Sequence, residues 1–495
     1  MSPETLEDHL RRATRSFTAR LPEDEALALG RELALEVARA HGETPPRHPE
    51  LDPSAIPMEG DRPRLDGGTV EGDVAEDLLT LGALLQWLTT GETPEPAWRL
   101  DGPPEADLAS IARRGVLAGL ASPRSAERFA SAAQAAEALA SALRPEPALT
   151  PPWPLFRGDA SRSGVRAAGP AIGSLGAIWE AAVGGIVGSP ALTAGLVVAP
   201  VTDGRLVFLD RATGRRAHEV RLGAAIESSP ALGEGLVVLG TDGGEVVALD
   251  LVRGREVWRV AVGRMVRSSP LLHAGRVFVG VVDGRAAGAI LALEARTGKS
   301  LWRRKLGPVF SSPALAGATV VIGSDDGSVH ALDSETGALV WSHALGGRVR
   351  STPAMGGDLV FVSDFDGRLV AVRLADGSRA WGRELGQPVY SSVAVSPSLA
   401  LVGCHDGRLR GLRPQDGEPL FELSTRGPIV SSPLLVAGQG VVASTDGELY
   451  VADGEGRLRA QITLARDGVQ STPAVDGDVL FVGSARGLHA VRLLP

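Results

Sequence analysis

Cysteine is almost absent from this chain of 495 residues, in which Cys404 stands alone. A single cysteine excludes an intrachain disulfide framework and a cysteine-based zinc site, and it is compatible with a reducing compartment. No stretch approaches the roughly 18 uninterrupted apolar residues of a membrane-spanning helix. The N-terminal sequence also lacks the basic and apolar regions of a secretory signal. These absences predict a cytoplasmic protein.

Lysine is nearly missing too, because arginine supplies 48 of the 50 basic residues. Residues 1–147 carry 26 Asp and Glu against 15 Arg and no Lys, which leaves the rest of the chain close to neutral. Non-specific nucleic-acid binding needs a dense basic surface, and neither part of the chain has one. The charge pattern instead indicates an acidic module joined to a nearly neutral one, with no nucleic-acid or membrane partner.

The tripeptide Ser-Ser-Pro, or a close variant, recurs eight times in the second part of the chain. Its third position is held by Pro190, Pro230, Pro270, Pro313, Pro353, Val393, Pro433 and Pro473. The spacing is 40 residues at every step except one of 43. A fixed period near 40 with strand-like content predicts small sheets that must stack on their neighbours to bury their faces.

Each unit has the pattern of a four-stranded antiparallel meander. Residues 311–350, for example, divide into four apolar segments separated by turns, one of which holds the Asp-Gly pair typical of tight hairpins. The eighth unit stops after its third strand, and a matching fourth strand with Trp179 lies upstream at 175–185. We therefore expect strand 175–185 to close a ring of eight blades, since closure removes open sheet edges.

The pattern Ala-x-Asp-x-x-Thr-Gly-x-x-x-Trp at 331–341 resembles the tryptophan-docking repeat of PQQ-type (pyrroloquinoline quinone) β-propellers. The lead-in WPLFRGDASRSGV at 153–165 is similar to the segment that often precedes such propellers. The resemblance implies an all-β eight-bladed propeller whose tryptophans pack between blades. These docking positions are Trp179, Trp258, Trp302, Trp341 and Trp381.

Quinoprotein dehydrogenases share this repeat, so the resemblance also implies an enzymatic alternative. Their alcohol dehydrogenases use a vicinal disulfide, which one cysteine cannot form, and carboxylates with an amide around Ca²⁺. Here most Asp residues lie in hairpin turns, and the chain resembles more closely the non-catalytic branch, which includes a lipoprotein scaffold of outer-membrane β-barrel assembly. We expect no cofactor and no metal. His330 and His489 share one blade position and are expected at the solvent edge.

The residue before each Ser-Ser-Pro varies freely while the surrounding positions repeat. These residues are Val187, Glu227, Arg267, Phe310, Arg350, Tyr390, Val430 and Gln470. Variation within a fixed architecture is compatible with drift at exposed positions. It also fits a partner or ligand surface at one mouth of the central channel, where propellers present inner strand ends and loops. The candidate surface is Glu227, Arg267, Phe310, Arg350, Tyr390 and Gln470.

Residues 1–144 have the apolar spacing of helices, and four of their segments resemble, in order, the C-terminal lobe of a bacterial Ser/Thr protein kinase. The resemblance places Glu50 at the catalytic base, Ala55 at the second metal ligand and Asp66 in the metal-binding turn. Phosphoryl transfer needs ATP, metal and hydroxyl held together, yet the ATP-covering lobe is missing and no lysine precedes Lys299. A degenerate, truncated pseudokinase module is therefore expected.

The predicted organisation is a helical pseudokinase-like domain at 1–144, a proline-rich linker and lead-in at 145–174, and the propeller at 175–495. The leading hypothesis is a non-catalytic interaction scaffold in which the propeller is a recognition platform for protein partners and the N-terminal module is a second docking element. The alternative is an enzyme, either a PQQ-dependent oxidoreductase or an ATP-binding, kinase-related signalling protein.

Overall fold

The computed structural model describes residues 58–59, 62–63, 151–166, 171–251 and 254–495. The chain divides into two units, Met1–Pro147 and Ala148–Pro495. In the first unit, strand Met58–Glu59 pairs in antiparallel fashion with Arg62–Pro63. The kinase-like positions Glu50, Ala55 and Asp66 lie outside the described residues.

The second unit is a propeller of eight four-stranded antiparallel sheets, as the repeat predicted. Blade 1 comprises Ala191–Leu192, Leu196–Pro200, Arg205–Asp210 and Arg216–Arg221, and blade 2 comprises Ala231–Gly233, Leu236–Gly240, Glu245–Asp250 and Glu256–Ala261. Blade 3 comprises Leu271–His273, Arg276–Val282, Gly288–Glu294 and Ser300–Leu306, and blade 4 comprises Ala314–Ala316, Thr319–Gly323, Ser328–Asp333 and Leu339–Ala344. Blade 5 comprises Ala354–Gly356, Leu359–Ser363, Arg368–Arg373 and Arg379–Glu384. Blade 6 comprises Ala394–Val395, Ala400–Gly403, Arg408–Leu412 and Pro419–Ser424. Blade 7 comprises Leu434–Val436, Gln439–Ala443, Glu448–Ala452 and Leu458–Thr463.

Blade 8 joins the two ends of the propeller. Its inner strands are Ala474–Asp476, Val479–Gly483 and Leu488–Leu494, and its outer strand is Ser174–Ala181 from the start of the domain. The register pairs Leu488 with Ala181 and Leu494 with Ser174. Closure therefore uses the segment proposed from the sequence, although the strand ends at Ala181 rather than at 185.

The single 43-residue step has a local cause in blade 3. Its second strand, Arg276–Val282, and third strand, Gly288–Glu294, have seven residues each, whereas the same strands of blade 2 have five and six. With its turn, this hairpin is four residues longer than that of blade 2, and the segment from the docking tryptophan to the next proline is one residue shorter, which gives the net difference of three.

Apolar side chains of the two middle strands form the core between blades. In blade 2, residues Val246 to Leu249 are fully buried, so this strand is covered on both faces by neighbouring blades. The outer strands are mostly exposed or half-buried, and in blade 4 Val340 is 52 % exposed beside the buried Trp341.

Each of the five docking tryptophans contacts the next blade. Every indole nitrogen donates a hydrogen bond to a backbone carbonyl there, over 2.7–3.1 Å, on Arg211, Ala295, Ser334, Leu374 and Pro414. The ring of Trp302 also covers Gly337, which has a φ of +70° and where a Cβ atom would lie 2.6 Å from the indole. The glycine of the repeat is thus required both by its backbone conformation and by the neighbouring tryptophan.

The lead-in, residues 153–166, runs along the innermost strands of the propeller. Six blades each donate a backbone amide to one of its carbonyls, over 2.7–3.0 Å; the donors are Leu192, Leu232, Leu315, Met355, Val395 and Leu435. Val165–Arg166 then pairs in parallel with Leu434–Val436. The sequence interpretation placed 145–174 in a linker and lead-in, whereas residues 151–166 are integral to the propeller because they satisfy its innermost strands.

Two fully buried arginines fix this segment. Arg157 donates to the carbonyls of Ser392, Val393 and Pro433, and Arg162 donates to those of Pro270 and Pro313. Burial lowers the pKa of both guanidinium groups to about 9, so both remain protonated at neutral pH. The arginines join blades 3, 4, 6 and 7 through the lead-in, a role that the sequence analysis did not assign to them.

Candidate recognition site at the channel mouth

The propeller axis contains a cavity of about 170 Å³. Its wall includes Ser189, Ser229, Ser269, Ser312, Thr352, Ser392, Ser432 and Thr472, and Phe156 of the lead-in borders it as well. All eight residues that precede the Ser-Ser-Pro positions also line it. The structure therefore brings the variable ring together around one space, including the six candidates Glu227, Arg267, Phe310, Arg350, Tyr390 and Gln470.

Hydroxyl groups connect neighbouring blades around this wall. The backbone amide of each second Ser or Thr donates to the hydroxyl of the equivalent residue in the next blade, as Ser189 does to Ser229 and Ser432 does to Thr472. Seven successive contacts of this kind span 2.9–3.2 Å. A buried amide needs an acceptor, and this chain of bonds explains why the second position of the motif is always Ser or Thr.

The chain of hydroxyls is open at one place. Ser189 is 1 % exposed, and its Oγ makes no hydrogen bond within the described part of the protein. A buried hydroxyl without a partner is energetically unfavourable, so this position stands out from the other members of the ring.

A charged cluster occupies one side of the mouth. The guanidinium of Arg267 forms two bonds to the Asp242 carboxylate, of 3.0 and 2.7 Å, and its Nη1 lies 2.8 Å from Oε2 of Glu227. The hydrogen bond to Asp242 raises the pKa of Arg267. Burial raises the pKa of Glu227, and Asp242 adds to this effect, although Arg267 opposes it. Burial therefore outweighs the attraction of Arg267 and disfavours the charged form of Glu227.

A second cluster combines a cation with aromatic rings. Arg350 donates through Nε and Nη2 to Asp325, over 2.9 and 2.8 Å, and its guanidinium carbon lies 4.0 Å from the centre of the Phe310 ring. Phe365 belongs to the same cluster, and its ring centre lies 4.3 Å from that of Tyr390. Tyr390 is 41 % exposed, so this second cluster includes an accessible aromatic side chain.

Sequence reasoning missed a second variable position at the mouth, in the hairpin between the second and third strands. Thr202, Asp242, Asp325, Phe365, His405, Thr445 and Ala485 occupy it. Their variation from blade to blade was the available signal. In blade 2 the variable position is hard to recognise, because Asp242-Gly243 looks like the Asp-Gly pair of the other blades. The glycine with the positive φ in this turn is Gly244, one residue later. Asp242 therefore aligns with Asp325.

The expectation that His330 and His489 lie at the solvent edge is wrong, since both are buried. His330 bridges Ser342 and Asp326, over 3.1 and 3.0 Å, in an arrangement that superficially resembles a hydrolytic triad. Arg410 and Tyr450 occupy the same blade position and contact the hairpin residues Asp406 and Asp446 in the same way. The shared role is to hold the hairpin, which is why these side chains turn inward.

The mouth is a poor fit for the quinone and Ca²⁺ of the related dehydrogenases. Ligand pockets usually have a volume of roughly 300 Å³ or more, which exceeds this cavity. Asp242 and Asp325 already pair with arginines. Among the described residues, no group of three or more His, Cys, Asp or Glu is placed to hold a metal ion.

Sequence comparison decides the family, because the family described as outer membrane protein assembly factor BamB matches residues 202–289 and 286–493. The chain belongs to this BamB family. No curated protein matches it in sequence. Within the described residues, no helix is long and apolar enough to span a membrane.

Solved structures share the BamB-family fold across different activities. BamB of Moraxella catarrhalis is 22 % identical with a TM-score of 0.57, over 65 % of this chain and 98 % of its own. The quinohemoprotein alcohol dehydrogenase of Comamonas testosteroni is 15 % identical with a TM-score of 0.61, over 70 % and 80 %. The computationally designed protein Ika8 is 17 % identical with a TM-score of 0.57, over 66 % and 100 %. These likenesses establish the propeller fold alone.

Proposed function

We propose that this protein is a non-catalytic interaction scaffold that binds a protein partner at the mouth of its propeller. The observation that carries the proposal is the convergence of all eight variable residues on one cavity. The surrounding framework repeats because the inter-blade bonds require it, whereas the mouth position is held by six different residue types in eight blades. Family membership adds support, since the family is named for an assembly factor.

Accessible and anchored side chains at the mouth suit protein recognition. Tyr390 and an arginine held on Phe310 are residue types that often dominate binding energy in protein interfaces. Arg350 is oriented in advance by Asp325, so little side-chain entropy would be lost on binding.

The pseudokinase-like segment 1–144 is proposed as a second docking module, and the cytoplasm as the site of action. Both stay predictions from the sequence. The enzymatic alternatives differ in their ligands: PQQ with Ca²⁺, or ATP with Mg²⁺, would raise the melting temperature of an enzyme of either class. We expect neither mixture to stabilise the full chain, and a shift of several degrees with either would contradict the scaffold proposal.

Photo-crosslinking tests the recognition surface directly. The full chain would carry p-benzoylphenylalanine at Tyr390 in the mouth or, as a matched control, at Val340 on the outer edge of blade 4, since both side chains are exposed. We expect a discrete, stoichiometric protein adduct from position 390 and none of that mass from position 340. Equal labelling at both positions, or no adduct at position 390, would contradict the proposal. This design leaves the Arg267 and Arg350 ion pairs intact.

A further inference from the structure

The two sides of the channel mouth differ in how completely their polar groups are paired. Arg267 and Arg350 each form two bonds to one carboxylate, on Asp242 and Asp325. Beyond Arg267 around the ring, Glu227, Ser189 and Gln470 belong to the entries of blades 2, 1 and 8, which are adjacent. We name Gln470, Ser189 and Glu227 the unpaired arc, because each has a polar atom without a hydrogen-bond partner among the described residues.

Each member of the unpaired arc offers an acceptor that the described residues leave unused. The Ser189 hydroxyl is buried and has no hydrogen-bond partner there. Glu227 pairs through Oε2 with Arg267, which leaves Oε1 for another donor. The exposed amide of Gln470 makes no hydrogen bond within the described residues. A ligand that satisfies the arc must therefore bring several donors.

The charge of the mouth points to the same ligand class. Three carboxylates, on Glu227, Asp242 and Asp325, face the two guanidinium groups of Arg267 and Arg350. Arg267 is shared between Glu227 and Asp242, so Glu227 does not have a guanidinium group to itself, and in this half-buried setting a further cation beside it is favoured more strongly than in water. The exposed ring of Tyr390 borders the same cavity and adds a face suited to a cation.

The cavity volume limits what can enter. Its volume of about 170 Å³ is below the roughly 300 Å³ at which small-molecule pockets usually begin. One extended side chain fits this space, while a folded surface or a multi-ring cofactor does not.

We propose that the unpaired arc binds a basic side chain, arginine or lysine, that projects from a partner protein. Glu227 is the ion-pair partner, and Ser189 and Gln470 accept hydrogen bonds from the same cation. The inference rests on the proposed function, because it gives the chemistry by which the mouth holds its partner.

Small probes test the chemistry without a known partner. Ligand-observed NMR on the full chain would compare Nα-acetyl-arginine methylamide with the citrulline analogue, which is nearly isosteric and neutral, and the lysine methylamide with its Nε-acetylated form. A charge-assisted bond predicts that each basic probe binds about tenfold or more tightly than its neutral counterpart. Equal binding within either pair would overturn the assignment for that side chain, and equal binding in both pairs overturns it entirely.

Variants locate the site. Glu227→Gln keeps an acceptor for Arg267 and removes the charge, so we expect binding of the arginine probe to weaken about tenfold. Glu256→Gln makes the same charge change on the exposed outer strand of blade 2 and should leave binding unchanged. Ser189→Ala should weaken binding a few-fold. An unaffected Glu227→Gln variant with an intact melting curve would contradict the proposal.

The two proposals fail in different ways. A crosslinked partner at position 390, combined with no preference for charged probes, overturns the basic-side-chain site and leaves the interaction role standing. The opposite result is that the charged probes bind more tightly and Glu227→Gln weakens their binding, but no partner is crosslinked at position 390. That result overturns the interaction role and supports a cation site for free basic ligands.

Discussion

Nη2 of Arg157 lies 2.5 Å from the carbonyl oxygen of Val393, a residue 236 positions further along the chain. Both groups are buried, and Val393 stands where seven of the eight repeats have proline. The bond ties the lead-in to blade 6, while other donors of the same guanidinium reach blade 7. A segment before the first repeat thus helps to hold together blades that are distant in sequence.

Replacement of this arginine should therefore destabilise the whole propeller. Arg157→Met leaves several buried carbonyls without a donor, and we expect a loss on the order of 3 kcal/mol in the free energy of unfolding. Urea denaturation monitored by tryptophan fluorescence measures this loss. Arg216→Met, at an exposed outer-strand position, is the control and should change stability by less than about 0.5 kcal/mol. Similar effects of the two substitutions would show that the lead-in contributes little to stability.

Two serines of the hydroxyl ring should respond oppositely to alanine. Ser229→Ala removes the acceptor of the buried Ser189 amide, which should cost about 1–3 kcal/mol. Ser189→Ala removes a buried hydroxyl that has no partner, so its effect on the ligand-free protein should be close to zero or slightly stabilising. Thermal unfolding of the two variants and the unmodified protein measures both changes in stability. A large loss in Ser189→Ala would mean that this hydroxyl is satisfied in solution.

Two glycines of blade 4 separate backbone strain from tryptophan docking. Gly317 and Gly337 both have positive φ, but a Cβ on Gly317 meets nothing within 4 Å, whereas one on Gly337 would clash with Trp302. Gly317→Ala should cost about 1 kcal/mol from strain alone. We expect Gly337→Ala to cost roughly 1–3 kcal/mol more, since the indole must move. Equal losses in chemical denaturation would argue against a steric role for the docking ring.

Stability should fall as the pH decreases through about 6.5, the usual pKa of histidine. Burial lowers the pKa of His218 and of His489, so the folded protein keeps these rings neutral at pH values where the unfolded chain already binds protons. The stability present above pH 6.5 is then lost progressively on acidification. The drop in melting temperature between about pH 7.5 and about pH 5.5 should be smaller in His489→Gln than in the unmodified protein.

An exposed histidine supplies the control for this pH dependence. His273 lies at an exposed end of a blade 3 strand, so His273→Gln should retain the full drop. An identical drop in all three proteins would exclude His489 as a contributor.

The sequence by itself determined the blades, their number and the way the ring closes. These features depend on local chemistry repeated in register: glycine at the positive φ of the turns, a hydroxyl that accepts the amide of the preceding blade, and in five blades a docking tryptophan. A missing fourth strand and a spare one upstream left a single consistent closure, and Ser174–Ala181 fills it.

Tertiary structure alone decided how the channel mouth is organised. The sequence identified Arg267, Arg350 and Tyr390 as variable, but their partners Asp242, Asp325 and Phe365 come from hairpins about 25 residues away in the chain. It also gave no sign that Arg157 and Arg162 would be buried against four blades. Such contacts form only when neighbouring blades pack together in the closed ring, which no single repeat encodes.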